Sequence, residues 1–385
     1  MSRIKGRMRI FARAIPKLIL KPLRIQPVEP ARILLAHHML LGDGLLLTAL
    51  IAKVRQRYPH ASLVLACPKA VAPLYARGPF DVTALAFDPR DSESVRRVLH
   101  SGPYDLGIVA GDNRYSWLAS AAGCKWIVAH QGGKPAWKNW PVDQLIPYPD
   151  APAAWGEIAA GLVEGHDPQP YRADHWPAPL ASAALPTSLR EREYVVLHPG
   201  ASSTVKRWPV QRWRELARRV AAQGYQVVWS GGAGEVALVA EIGPESTHLN
   251  LAGRLELADL WHVLAGARAI VCPDTGIAHL ARLVDVPTVA LFGPGNPDIH
   301  GAGRYWQYAP FVALVVEDMT CRDQNTIFGR PVSWARRCSR NESTCLAWRN
   351  GYADCMAGHS VDQVCHALEN LGVLSRADLQ SVVHA

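Results

Sequence analysis

Short apolar runs alternate with segments of helical periodicity along most of this chain, between residues 32 and 293. The run "RILLAH" at 32–37 predicts a strand, and "GDGLLLTALIAKVRQRY" at 42–58 predicts a helix with Leu46, Leu50 and Val54 on one face. Strands that alternate with helices at this spacing indicate βαβ units and parallel sheets. The predicted fold class is therefore α/β, and 385 residues are enough for two domains, each with its own core.

A stretch rich in Pro and Trp, residues 133–188, interrupts the alternation once. The chain then divides into a basic leader (1–30), an N-terminal Rossmann-like domain (31–185) and a C-terminal Rossmann-like domain (186–372) that ends in a cysteine-rich segment. Open parallel sheets bind ligands outside the carboxyl ends of their strands. We therefore expect the functional residues in the loops at those ends, facing a cleft between the two domains.

The leader carries eight cations among apolar residues within its first 24 positions, and the whole chain has a formal net charge of +8. Cations interrupt each apolar run, which excludes a signal peptide, and no uncharged apolar run is long enough for a transmembrane helix. The pattern favours a segment lying on an anionic membrane surface. The alternatives are a disordered leader and a helix packed on the protein, and Pro16 and Pro22 are expected to break any long helix.

Net positive charge also suits nucleic acid. However, no helix-turn-helix, RNP or zinc-finger pattern accompanies the charge, so no nucleic-acid partner is predicted.

In the C-terminal half, polar and Gly-rich loops follow several of the predicted strands, in "HPGASSTVKRWP", "SGGAGE" and "PDTGIAH". Small residues let backbone N–H groups approach phosphate oxygens, while hydroxyls and a lysine supply donors and charge. The last loop opens a helix, whose N-terminus favours an anion, although a residue there can also be only an N-cap. These loops contribute the candidate donor-site residues Ser202, Ser203, Lys206, Glu235, Asp274, Thr275, Gly276 and His279.

In the N-terminal half, "HHMLLGDGLLLTAL" places Asp43 where the first predicted strand passes into a helix. A carboxylate in such a loop can take the proton from a hydroxyl that attacks a substrate carbon, and Gly42 and Gly44 leave room beside it. The alternative is that Asp43 only caps the helix.

The motifs "HPG…KRWP" and "PDTGIAHLA" resemble those of the heptosyltransferase family of glycosyltransferases, which build the inner core of bacterial lipopolysaccharide; the match runs from about residue 30 to residue 370. The resemblance implies a GT-B fold, with an acceptor-binding N-terminal domain, a donor-binding C-terminal domain and a final helix that crosses back. It implies inverting transfer from a nucleotide sugar, ADP-heptose, without an essential metal or other cofactor, and no Asp-x-Asp signature stands out here. The implied acceptor is a lipid-anchored phosphorylated oligosaccharide, reached by a cytoplasmic protein bound peripherally to the inner face of the inner membrane.

The resemblance also implies roles for single residues, with Asp43 as the catalytic base and Lys206 as the second catalytic residue, on the donor phosphates. Further donor contacts are implied for Ser202 and Ser203 (phosphate), Glu235 (ribose), and Asp274, Thr275, Gly276 and His279 (sugar and diphosphate). Acceptor contacts fall on Gly42, Gly44, His37 and His38, the two histidines lying where the family often has a basic residue. Three alternatives stay open, namely another nucleotide sugar, a protein acceptor, and a non-catalytic sugar-nucleotide binding protein.

Five of the eight cysteines fall within the last 65 residues. They form no CxxC pair, which is unfavourable for zinc, and no metal ligand is assigned. One subgroup of the family that glycosylates proteins holds iron with a cysteine cluster, so a bound metal, a disulfide and free thiols all remain open.

Overall fold

A computed structural model of the chain describes residues 2–375, with side chains from residue 4 onward. The chain forms two compact units. The first contains the residues up to Pro170 together with 174–179 and 325–335, and the second contains 171–173, 180–324 and the residues from Arg336 on.

The first unit is built on a parallel sheet with strand order β3-β2-β1-β4-β5-β6. Its strands are almost entirely apolar because helices cover both faces of a parallel sheet. They are β1 (Arg32–Ala36), β2 (Ser62–Cys67), β3 (Val82–Ala86), β4 (Tyr104–Val109), β5 (Cys124–His130) and β6 (Gln144–Ile146). The helices are α1 (Ser2–Ile19), α2 (Leu41–Leu46), α3 (Thr48–Arg57), α4 (Ser92–His100), α5 (Ser116–Ala121) and α6 (Trp155–Ala160).

The second unit repeats this topology, with strand order β12-β11-β10-β7-β8-β9. Its strands are β7 (Tyr194–Leu197), β8 (Gln226–Trp229), β9 (Leu249–Asn250), β10 (Ala269–Pro273), β11 (Thr288–Phe292) and β12 (Phe311–Val315). Its helices are α7 (Ser188–Glu191), α8 (Val210–Ala222), α9 (Val236–Ile242), α10 (Leu257–Ala265), α11 (Gly276–Leu283), α12 (Pro297–His300), α13 (Asp354–Ala357) and α14 (Val361–Asn370). When the strands of each unit are counted in chain order, both sheets have the doubly wound order 3-2-1-4-5-6. The third and sixth strands of the unit are therefore the two edge strands.

Two short antiparallel pairs complete the structure. The strands β13 (Thr326–Ile327) and β14 (Arg330–Pro331) form a hairpin that packs with the first unit, and β15 (Trp348–Arg349) pairs with β16 (Tyr352–Ala353) in the second unit.

The leader is a helix packed on the first unit, and it continues through Pro16, so the expected break at this proline is wrong. Gly6 and Ala14 are buried against the unit, and the helix contacts α4 and α5. Packing of one face thus outweighs the low helix propensity of a single proline near the C-terminal end. Within residues 2–375 no helix combines the length and apolar character needed to cross a membrane.

The last described helix, α14, belongs to the second unit, so the expectation of a final helix crossing back is not met in the described residues. Ser360 and Gln363 start this helix with a capping box. Its apolar face places Val364 and Leu368 in the core of the second unit, where both are fully buried. By contrast, the hairpin segment 325–335 belongs to the first unit although the chain on either side of it belongs to the second.

Candidate active site

Lys206 and Asp274, which are 68 positions apart in sequence, meet at the carboxyl edge of the second sheet. Lys206 follows β7 and Asp274 follows β10, and these strands are neighbours in the sheet. The ammonium nitrogen of Lys206 donates to the backbone oxygen of Asp274 at 2.7 Å and to its carboxylate at 3.1 Å. The structure therefore brings together two of the predicted donor-site residues as an ion pair.

The carboxylate of Asp274 stays charged in spite of its burial. Burial by itself raises its pKa, but the charge and hydrogen bond of Lys206, with the nearby His300 and His279, outweigh burial and lower the pKa to about 2. Gly295 allows this arrangement, because a Cβ atom there would lie 2.3 Å from the carboxylate oxygen of Asp274. The site thus contains a fixed negative charge beside an ammonium group.

Thr275 and His279 carry buried polar atoms that make no hydrogen bond within the described part of the chain, namely Oγ1 of Thr275 and Nδ1 of His279. Thr275 occupies the N-cap position of α11, but its side chain does not cap the helix. Burial holds the pKa of His279 well below its usual value, so the ring is neutral at pH 7. Buried polar groups normally have partners, so these two atoms are candidates for contact with a ligand, and the N-cap alternative for Thr275 is not supported.

Glu235 lies over the backbone of the loop that follows β7. Its carboxylate accepts a hydrogen bond from the backbone N–H of Gly232 at 2.6 Å and lies 3.9 Å from Nε2 of His198. His198 is fixed in turn by a 2.9 Å hydrogen bond between its Nδ1 and the hydroxyl of Ser230. Burial lowers the pKa of His198 to about 4 although Glu235 opposes it, so the histidine is a neutral support for the carboxylate.

Neither His198 nor Gly200 is among the site residues predicted from the sequence. A signal for both was present, since they belong to the "HPG" that follows β7 directly. A Cβ atom on Gly200 would lie 2.1 Å from the carboxyl carbon of Glu235, so only glycine lets the carboxylate occupy this place.

We expect Gly200→Ala to displace the Glu235 side chain while the fold is kept, because the clash falls on the end of a flexible side chain. If Glu235 holds a ribose hydroxyl, the affinity for ADP falls about 10-fold or more, the value of a lost charge-assisted hydrogen bond. Calorimetric titration with ADP measures this. Gly234→Ala in the neighbouring loop is the matched control, because its Cβ would meet no atom within 4 Å; equal ADP affinity in both variants would contradict the role of Glu235.

Ser202 and Ser203 lie in the same loop as Lys206, Ser202 being exposed and Ser203 half-buried. Ser203 precedes the short 3-10 turn Thr204–Lys206, and its carbonyl accepts from the backbone N–H of Lys206 at 3.0 Å. Both hydroxyls are thus on the loop that presents the lysine.

In the first unit, Asp43 lies in the first turn of α2 but is not its N-cap. The N-cap residue is Leu40, two positions before Gly42, and the helix begins at Leu41. The capping alternative for Asp43 is therefore not supported, whereas the helix dipole favours a carboxylate at this place. The indole nitrogen of Trp155 donates to the backbone oxygen of Asp43 at 3.1 Å and fixes this turn.

His37 and His38 differ in their accessibility. His37 is only 2% exposed, and neither of its ring nitrogens has a hydrogen-bond partner among the described residues. Burial and the neighbouring His38 lower the pKa of His37 to about 3, more than Asp43 raises it, so the ring is neutral. His38 is half-buried, and burial lowers its pKa as well. Neither histidine therefore replaces the permanently charged basic residue that the family often has at this position.

Four of the five C-terminal cysteines line one small cavity in the second unit, and these are Cys321, Cys338, Cys345 and Cys355. Val205 and Pro294 line the same cavity, so this segment packs under the loops that follow β7 and β11. All eight cysteines are free thiols, and burial raises the pKa of Cys355 to about 12. Within residues 2–375, no group of three or more His, Cys, Asp or Glu side chains is arranged to hold a metal ion.

The family model that matches this chain and two similar proteins, one of Pseudomonas and one of Haemophilus, all belong to the heptosyltransferases. The family model described as glycosyltransferase family 9 (heptosyltransferase) matches residues 94–328. Lipopolysaccharide heptosyltransferase 1 of Pseudomonas aeruginosa is 43% identical over 111 residues, which are 28% of this chain and 31% of that protein. Lipooligosaccharide heptosyltransferase 2 of Haemophilus ducreyi is 25% identical over 291 residues, which are 66% of this chain and 81% of that protein.

Among solved structures, the ADP-heptose lps heptosyltransferase II of E. coli is similar with a TM-score of 0.64 at 21% identity, covering 88% of this chain and 98% of that chain. This likeness shows the fold. The predicted α/β class with two Rossmann-like doubly wound domains, the GT-B fold, is confirmed.

Proposed function

Since the chain belongs to glycosyltransferase family 9, the heptosyltransferases, we propose that it transfers heptose from ADP-heptose to a lipopolysaccharide core acceptor with inversion at the anomeric carbon. One observation carries the proposal. At the carboxyl edge of the second sheet, Lys206 is paired with Asp274 beside the buried, unsatisfied polar atoms of Thr275 and His279. A cation, an unsatisfied hydroxyl and the free backbone N–H groups of a helix N-terminus suit a diphosphate.

The donor is held by the second unit. Lys206 and the hydroxyls of Ser202 and Ser203 bind the diphosphate, and Glu235 accepts hydrogen bonds from the ribose hydroxyls. Asp274 holds sugar hydroxyls, since its carboxylate is ionised at neutral pH and can accept them. Because Lys206 already balances Asp274, the lysine is pre-oriented when the diphosphate arrives, and little side-chain entropy remains to be lost.

The acceptor is held by the first unit, in the loop that contains Gly42, Asp43 and Gly44. Asp43 takes the proton of the attacking hydroxyl as its oxygen bonds to the anomeric carbon. The bond from that carbon to the diphosphate breaks at the same time, and ADP leaves with the negative charge that Lys206 stabilises. His38 is accessible to the acceptor, while the buried His37 supports the loop from below.

The test is a transfer assay with the purified protein, a heptose-deficient core acceptor and a panel of ADP-, UDP- and GDP-sugars. We expect mass-spectrometric addition of one heptose with ADP-heptose only. Turnover only with UDP- or GDP-sugars would refute the donor, and transfer only to a protein would refute the acceptor. Tight ADP-heptose binding without transfer to any acceptor would refute catalysis.

We also propose that α1 rests on an anionic membrane, where the lipid-anchored acceptor meets the cytoplasmic donor at the inner face of the inner membrane. Four apolar side chains of α1 are more than half exposed, and their spacing places them on one face of the helix: Ile4, Met8, Ile15 and Ile19. Lys5 and Arg7 flank this apolar face and are exposed. By contrast, Arg9, Arg13 and Lys17 hydrogen-bond to the first unit itself.

The exposed apolar side chains of α1 should therefore contribute more to membrane binding than its exposed cations. Each exposed cation near the lipid surface adds about 1 kcal/mol, whereas a fully buried isoleucine adds about 1.5–3 kcal/mol. Ile15→Asp with Ile19→Asp should therefore lower partitioning onto phosphatidylglycerol-containing vesicles about 100-fold or more, and Lys5→Gln with Arg7→Gln only about 10- to 30-fold.

Sedimentation with vesicles measures both effects. Leu180→Asp with Leu346→Asp is the matched control, because it places the same two charges at exposed leucines of the second unit. Unchanged partitioning of the Ile15 and Ile19 double variant would refute the membrane surface.

A further inference from the structure

The hairpin β13–β14 turns over two residues, Phe328 and Gly329, which both have positive φ values of 48° and 75°. Such a turn fits a two-residue hairpin, but its first position favours Asn, Asp or Gly. A phenylalanine in the left-handed region is strained, and such strain persists where surrounding contacts hold it and often marks functional sites.

The ring of Phe328 packs on Trp155, with 4.4 Å between the ring centroids. Trp155 is fully buried, and its indole nitrogen donates to the backbone oxygen of Asp43 at 3.1 Å. The hairpin tip is therefore one side chain away from the turn that carries Asp43.

Arg330 anchors the other side of the hairpin. It is 2% exposed, and its guanidinium donates to the backbone oxygen of Gln131 at 2.9 Å and to the side-chain oxygen of Asn113. The guanidinium also lies over the ring of Tyr148, 5.6 Å from its centroid. These three partners follow β5, β4 and β6, so Arg330 ties together loops at the carboxyl edge of the first sheet.

Trp334 adds a further anchor, since its indole nitrogen donates to the backbone oxygen of Pro149 at 2.9 Å. The segment 325–335 thus covers the edge of the first sheet at which open α/β folds bind ligands.

We propose that segment 325–335 is a positioning element of the acceptor site: Phe328 holds the Asp43 turn through Trp155, and Arg330 fixes the loops around the acceptor. The proposal rests on the proposed function for the role of Asp43. A hairpin that only covered the sheet edge would need neither a strained aromatic tip nor a buried arginine, since burying a guanidinium is costly unless each donor is satisfied. Instead, Phe328 and Arg330 hold the Asp43 turn and the loops after β4, β5 and β6, on which the acceptor hydroxyl would lie.

The experiment measures steady-state transfer by Phe328→Ala, Phe328→Tyr and the control Thr326→Ala, an exposed residue of the same hairpin. We expect Phe328→Ala to lower kcat about 10- to 100-fold, the effect of a small misplacement of a catalytic group. The dissociation constant of ADP should stay unchanged, because Phe328 belongs to the first unit. Phe328→Tyr should restore the rate, since it keeps the ring.

Arg330→Lys keeps the charge but loses the planar fork that reaches two loops. We expect it to raise the acceptor KM about 10-fold while the ADP dissociation constant is again unchanged. Wild-type kcat and acceptor KM in both Phe328→Ala and Arg330→Lys would overturn the proposal.

A shortened protein that lacks the hairpin tests the proposal if the single substitutions prevent folding. Gln324 and Arg337 exchange two backbone hydrogen bonds of 3.0 Å at the base of the segment, so a Gly-Gly turn can replace residues 325–336 without breaking this bridge. We expect the shortened protein to bind ADP as the wild type does and to lose transfer at least 100-fold. Normal transfer by this variant would overturn the proposal, whereas absence of transfer by the wild type would overturn the proposed function instead.

Discussion

Replacing Asp43 by asparagine should lower kcat about 10²- to 10⁴-fold, the range for removal of a general base. Asparagine has nearly the same shape, and Asp43 is not the N-cap of α2, which is Leu40, so the helix loses only the small dipole interaction of a first-turn carboxylate. The hydrogen bond from Trp155 goes to the backbone oxygen of Asp43, so it is kept. The loss should therefore fall on proton transfer and not on the fold of the loop.

Calorimetry with ADP and thermal unfolding separate these effects, and both should match the wild type. Glu93→Gln is the matched control, since Glu93 is another acid in the first turn of a helix, is exposed, and pairs only with its helical neighbour Arg96 among the contacts found for it. Transfer by Asp43→Asn within 2-fold of this control would show that another group takes the proton.

The meeting of Lys206 with Asp274 follows from the doubly wound pattern of the sequence. Residues just after the first and fourth strands of such a domain lie side by side, because those strands are neighbours in the sheet. His198 and Glu235 meet for the same reason, because they follow the first and second strands of the domain, which are also neighbours. Whether Asp43 and Thr275 cap their helices does not follow from the sequence pattern, because capping depends on side-chain rotamers and on the exact helix start.

The position of the hairpin segment 325–335 could not be predicted from the sequence, for a physical reason. It has no run of apolar alternation, and its anchors Phe328 and Arg330 contact residues about 170 to 220 positions earlier in the chain. No local propensity encodes such contacts. The clustering of four cysteines was hidden in the same way, because 16 residues separate Cys321 from Cys338 and include this hairpin.

Lys206→Met should weaken ADP binding by about 1.5–3 kcal/mol, roughly 10- to 150-fold, because a charge-assisted contact with the diphosphate is lost. Methionine keeps most of the side-chain volume, so the loop after β7 should stay packed. Titration calorimetry at pH 7 measures the loss. Lys125→Met is the control, since Lys125 is 69% exposed and pairs with Asp105 at the surface of the first unit; equal ADP affinities would refute the phosphate contact.

The same substitution has a second consequence, for stability in acid. The pKa of Asp274 is lowered from 3.8 to about 2, so the ion pair stabilises the folded state above about pH 4, and this contribution is lost as the pH falls through about 2. Without Lys206 its charge and hydrogen bond no longer oppose burial, and the pKa of Asp274 rises. Lys206→Met should therefore be less stable than the wild type at neutral pH, by up to about 3 kcal/mol, since Lys206 is itself partly exposed.

Below about pH 2 Asp274 is protonated in both proteins, and the difference between them should disappear. Urea unfolding between pH 2 and pH 7 measures this dependence. Adding Asp274→Asn to Lys206→Met removes the uncompensated charge, so the double variant should regain stability at pH 7 without regaining ADP affinity. If the double variant regained neither stability nor ADP affinity, the instability of Lys206→Met would come from lost packing. If it regained ADP affinity, Lys206 would serve only to neutralise Asp274.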